Sequence, residues 1–141
     1  MQPWQVVGLF CEDVRQEKQG YSLIGILPDN VNVPSIPGMF PKLGLYVRLN
    51  VDPAADVGPI SLRLRLPDGT ESDLTGFDAE FVKETQKEAA SKGAPWAGFI
   101  VTAVSSPLSI AKAGRIIALA SIMGEEMICA GLNVQEGQAP A

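Results

Sequence analysis

Apolar residues along this chain recur mostly at every second position, the period of a β-strand. Trp4 to Cys11 is apolar and β-branched and predicts a buried strand, and Tyr21 to Leu27 predicts a second strand. Leu43 to Val51 is the clearest case. Leu43, Leu45, Val47, Leu49 and Val51 fall on one face, with Gly44, Tyr46, Arg48 and Asn50 on the other. Ile60 to Leu66 alternates in the same way, with Ile60, Leu62, Leu64 and Leu66 inward and Ser61, Arg63 and Arg65 outward. Pro67-Asp68-Gly69 then supplies turn residues. Ala97 to Val104 is a further strand, and Arg115 to Met123 and Met127 to Val134 form a hairpin around Gly124-Glu125-Glu126. Such one-faced alternation belongs to antiparallel sheets with one solvated side.

Some segments break the period. Phe77 to Lys92 predicts a helix, because Phe77, Phe81, Val82, Thr85 and Ala89 share helical spacing. Asp78 and Glu80 lie near its start, Lys92 near its end, and Gly93 and Pro95 stop it. Pro28, Pro34, Pro37 and Pro41 make the connection from Pro28 to Lys42 an extended strap, whose Val31, Val33, Ile36, Met39 and Phe40 need burial. Glu12 to Gly20 is charged and reads as a turn or extended hairpin tip. Together these elements predict a single mainly β domain over residues 1–134 with a frayed tail over 135–141. The expected fold is a two-sheet antiparallel β-sandwich, immunoglobulin- or C2-like, with one inserted helix at about 77–92. A small closed barrel is the alternative; a doubly wound α/β fold would need more helices between strands.

Composition narrows the chemistry. The chain has 141 residues, 11 Lys plus Arg against 16 Asp plus Glu, and a net charge of −5. At 46% hydrophobic residues it is too apolar to be disordered. Its acidity argues against nucleic-acid binding. The count of His is 0, which removes the imidazole base, the His-ligated metal and the His-based switch. The 2 cysteines, Cys11 and Cys129, lie far apart in apolar runs and read as buried thiols. No basic n-region precedes the first apolar run, and the longest apolar stretch, Arg115 to Met123, is about half of a membrane span. The expectation is a soluble cytoplasmic protein with no membrane partner.

Ser109-Ile-Ala-Lys112 matches Ser-x-x-Lys, but the partner motifs of the serine enzymes that use it are absent and the segment sits between Pro107 and Gly114. Loop carboxylates at Glu12, Asp13, Asp29, Asp52, Asp56, Asp68, Glu71 and Asp73 do not follow a calcium-loop spacing and read as solvated turns. Two surfaces stand out. One is the charged segment with Glu12, Asp13, Arg15, Glu17 and Lys18, a solvated loop or a recognition tip. The other is a stripe of Tyr46, Arg48, Arg63 and Arg65, expected if strands 43–51 and 60–66 form a hairpin with Arg48 opposite Arg63. Like charges so placed need carboxylates or a bound anion beside them.

Cys11-Glu-Asp-Val-Arg-x-Glu17, Tyr21-Ser-Leu-Ile-Gly-Ile26, Val33-Pro-x-Ile-Pro and Pro41-Lys-Leu-x-Leu-Tyr-Val-Arg48 resemble a family of small proteins of unknown function from bacteria and their phages or prophages. The resemblance implies a one-domain β-sandwich, and no activity, cofactor or catalytic residue. The expected function is a non-catalytic interaction protein, phage- or prophage-associated, either a virion component or a small effector that binds a host protein. The alternative is a sequestering binder of small anions or nucleotides. No enzyme activity, metal or cofactor is expected. An oligomer is compatible with the sequence.

Overall fold

A computed structural model describes residues 2–138. The fold is mainly β, with strands β1 (Trp4–Glu17), β2 (Gly20–Ile26), β3 (Asn30–Val33), β4 (Gly38–Phe40), β5 (Leu43–Val51), β6 (Ile60–Arg65) and β7 (Glu71–Phe77). The helix α1 (Ala79–Ser91) follows, then β8 (Ala97–Ser105), β9 (Leu108–Ile110), β10 (Gly114–Ile122) and β11 (Glu125–Glu136). One sheet runs β2-β1-β5-β8, and another runs β3-β11-β10-β6-β7. β4 and β9 form a separate ribbon. All pairings are antiparallel except β3 with β11. The sheets remain open, so the closed-barrel alternative is set aside.

Alternation decides which faces meet. Trp4 and Phe10 of β1, the odd-numbered residues of β5 and Ala97, Phe99 and Val101 of β8 enter one apolar cluster. Ile60, Leu62 and Leu64 of β6, Ile116, Ala118, Ala120 and Ile122 of β10, and Leu132 and Val134 of β11 enter the same cluster from the other sheet. Gly8 permits a close approach of the two sheets, since a Cβ there would collide with the Cys129 carbonyl. Helix α1 covers part of the core with Val82 and Gln86, one turn apart. The Gln86 amide donates to the Asp52 and Ala55 carbonyls at 2.9 and 2.6 Å, so a buried polar group is satisfied while it ties the helix to the loop after β5. Asp78 caps the helix by accepting from the Phe81 N–H at 2.8 Å.

The structure corrects several expectations. The largest concerns β5 and β6, which do not pair: β5 lies between β1 and β8, and β6 between β10 and β7. β7 was hidden in the sequence because Glu71, Ser72 and Asp73 are polar and a register shift opposite Leu62/Arg63 interrupts the alternation. The strap contains β3 and β4, and the loop after β8 contains β9. Met39 is exposed rather than buried. The last hairpin turns at Met123 and Gly124, with φ of 56° and 76°, instead of over three residues, because a two-residue turn of this hand matches the strand twist. β11 runs on to Glu136, so Gln135 and Glu136 are paired residues; 139–141 of the expected tail lie outside the described residues. No helix among the described residues is long and apolar enough to cross a membrane.

Cys11 and Cys129 are free, buried thiols. Burial pushes the Cys129 thiol up to about 11, so it stays protonated at neutral pH. Alkylation of Cys129 by iodoacetamide at pH 7.5 is expected to be slow in the folded protein and fast in denaturant, as read by mass spectrometry of the labelled peptide. Truncating Leu62, which is 1% exposed, to Ala should cost about 2–5 kcal/mol in urea unfolding. Val7→Ala, at a side chain 55% exposed, should cost much less.

Candidate functional site

The site begins with a bend in β1. Leu9 pairs with Tyr46 of β5, and Gln16 pairs with Tyr21 of β2. In a straight strand, positions 9 and 16 lie roughly 23 Å apart at about 3.3 Å per residue. Yet the Tyr21 and Tyr46 rings meet edge to face with centroids 6.1 Å apart. The hairpin formed by the outer part of β1 and β2 is therefore folded back over the outer surface of the β2-β1-β5-β8 sheet. Gly44 makes room for it: a Cβ there would lie 3.0 Å from Cys11 Sγ and 3.2 Å from a Val14 methyl. This cover accounts for the complete burial of Cys11 on the outward side of the sheet. On β2, Gly25 follows the bend with φ +64°, beside the Glu12 side chain.

Asp13 fastens the bend. Its carboxylate accepts from the Val14 N–H at 3.0 Å, from Lys42 Nζ at 2.9 Å and from Arg15 Nε at 3.4 Å. The Lys42 ammonium beside it, with help from Arg15 and the Val14 amide, holds the Asp13 carboxyl below its usual value. The Lys42 contact joins the hairpin to the strap. The strap is in turn fixed to β11 by Asn133 Nδ2 donating to Asn30 Oδ1 and Gln135 Nε2 donating to Asn32 Oδ1, each at 2.9 Å. The Ile36 N–H also donates to Glu136 at 2.9 Å.

Pairing parity gives the hairpin two faces. Val14, Leu23 and Tyr21 turn toward the sheet, whereas Asp13, Arg15 and Ile24 turn the other way. That second face and the strap enclose a groove of about 700 Å³. Ile24, Leu27, Val31 and Phe40 supply its apolar surface, and Glu12, Asp13, Arg15 and Lys42 its charges. The volume and the mixture of apolar wall with a few polar groups suit a ligand or an anchoring side chain.

The structure places the sequence-derived residues in three locations. Glu12, Asp13 and Arg15 line the groove. Glu17 accepts from Ser22 Oγ at 3.1 Å farther along the hairpin, and Lys18 forms the turn with Gln19. Glu12 and Asp13 are thus at the hairpin base, not its tip. The expected arginine stripe is divided, because its strands belong to different sheets. Tyr46 and Arg48 lie on the outer surface of one, where Arg48 Nε donates to Asn50 at 3.2 Å. Arg63 and Arg65 lie on the other sheet and bind Glu71 at 3.0 and 2.7 Å; Arg63 also pairs with Glu126. The hydrogen bond from Arg65, reinforced by Arg63, holds the Glu71 carboxyl below its usual value. These two arginines are matched by carboxylates of β7, the adjacent strand, and of β11, one strand beyond β10. Sequence reasoning missed the strap's share of the groove, although the lone Val14 in a charged run was the available sign that this hairpin packs against something. Among the described residues, no three Cys, Asp or Glu converge as metal ligands.

Residues 6–135 match the model of a family of unknown function (DUF6941), and the chain belongs to that family. No curated protein matches the sequence. Among solved structures, the chain resembles the Pseudomonas fluorescens alkylpurine DNA glycosylase AlkC bound to DNA containing an abasic site analogue, at a TM-score of 0.46 and 11% identity. That alignment covers 94% of this chain and 30% of that one, a likeness too distant to inform fold or chemistry.

A carboxyl held low in the folded state stabilises above its unfolded pKa, and that contribution disappears as pH falls through the folded value. Asp13→Asn and Lys42→Met should therefore each lower stability at neutral pH, with the difference from wild type shrinking under acid conditions. Denaturant unfolding at a series of pH values checks this; a constant difference would show that the ion pair is not its source.

Proposed function

We propose that this protein is a non-catalytic interaction module that receives a protein segment in the groove between hairpin and strap. The observation that carries the reading is an apolar groove of about 700 Å³ with an internally balanced rim. Glu12 and Asp13 oppose Arg15 and Lys42, and both cations contact Asp13. A phosphate would have to enter beside two carboxylates, whereas an apolar side chain would displace water from Ile24, Leu27, Val31 and Phe40 without disturbing the charge balance. The mixed charges suit the polar flanks of a peptide. This favours a protein partner over the small-anion alternative. In this reading the two sheets form an immunoglobulin- or C2-like sandwich, supported by the single core they share. The association with bacteria or phage rests on the motifs within residues 11–48. The proposed setting is the host cytoplasm or the virion.

Selection of a random peptide library on the immobilised protein tests the groove. Enriched peptides should carry an apolar anchor, and Ile24→Glu should weaken their binding at least about tenfold, equivalent to about 1.4 kcal/mol. Equal binding to that variant would overturn the assignment. A nucleoside phosphate that raises the melting temperature and is blocked by Lys42→Glu, with no enriched peptide, would instead establish the anion reading.

A further inference from the structure

The free edge of β8 is unlike the other sheet edges. β3 has four residues, Asn30–Val33, between Pro28 and Pro34. β7 carries Glu71 and Asp73 and a register shift with β6. β2 is bent at Gly25, with φ +64°. These features hinder pairing with another strand. β8 is nine residues long, Ala-Gly-Phe-Ile-Val-Thr-Ala-Val-Ser, without a charge or a proline, and among the described residues its only strand partner is β5.

Helix α1 restricts which part of this edge is open. The Phe81 ring packs edge to face on Phe99, and Gln86 binds the loop that follows Val51, itself the partner of Ala97. The helix therefore occupies the Ala97–Phe99 end. Farther along, Ile100 and Val104 are 40% and 43% exposed. From this we infer that residues 100–104 are a homodimerisation edge, where a second copy pairs antiparallel about a two-fold axis at Thr102 and joins two four-stranded sheets into one.

The segment is complementary to itself in that register. Ile100 faces Val104 of the second copy, Thr102 faces its equivalent, and Val101 faces Ala103. Each outer-face pair joins β-branched residues, which favour cross-strand contact. A two-fold axis brings identical strands together, so any charge near Thr102 would meet a like charge; the segment has none. Main-chain hydrogen bonds along the edge would supply pairing without a preformed pocket.

Sedimentation velocity over the micromolar range tests the inference. Wild type should shift from monomer to dimer as concentration rises, doubling in mass. Thr102→Lys, which sets two ammonium groups together at the axis, should remain monomeric, as should the Ile100→Lys, Val104→Lys double variant. Ile100→Lys combined with Val104→Glu should recover the dimer, because each Lys then faces the partner's Glu. These side chains point outward, so circular dichroism should show an unchanged fold. Independently of any variant, amide exchange within 100–104 of the wild type should slow at higher concentration. A monomeric wild type, a dimer indifferent to Thr102→Lys, or failure of the Lys/Glu pair to recover association in a folded protein would each overturn the proposal.

Discussion

The bend of β1 at Glu12–Val14 sets the position of the candidate site. Before it, the strand belongs to the central sheet and contributes Trp4 and Phe10 to the core. Beyond it, the same strand forms a hairpin lying on that sheet's outer surface. The bend is accommodated by the small residue Gly44 beneath and the positive φ of Gly25 alongside. Asp13 then ties the bend to Lys42, so one carboxylate shapes the strand and sets the distance to the strap. Without the bend, Ile24 would extend away from Phe40 and the groove would have one wall.

Much of the frame was legible because burial imposed a period on the sequence. β5 is the clearest example: its predicted bounds and inward residues agree with the structure. The helix was similarly legible through its apolar spacing and the acidic residues near its start, with ends displaced by one or two residues; that Asp78 is its cap emerged only from the structure. β7, β3, β4 and β9 were not, since each is short, polar or flanked by proline and is held by its neighbours more than by its own pattern.

Sheet partnership was a different matter. Consecutive alternating strands suggest a hairpin, but the Asp52–Pro59 connection carries the chain from one sheet to the other. Side-chain parity within β5 and within β6 was correct, while the assumption that they shared a surface was not. The division has a physical consequence: Arg63 and Arg65 find carboxylates on β7 and β11, and Arg48 is left beside Asn50 on a distant surface. The groove was hidden for a related reason, because its two walls come from segments whose approach depends on a bend that no period encodes.

The continuity of β1 also gives the molecule a mechanical character. A ligand held against Asp13 and Arg15 grips the same strand that pairs with β5 from Trp4 to Cys11. Tension that reaches that strand from the hairpin passes into β5 through this ladder, which anchors the base of the hairpin. The strap carries its share into β11 through Asn30 and Asn32. A load applied at the groove thus divides between the two sheets, and the shared core resists their sliding apart.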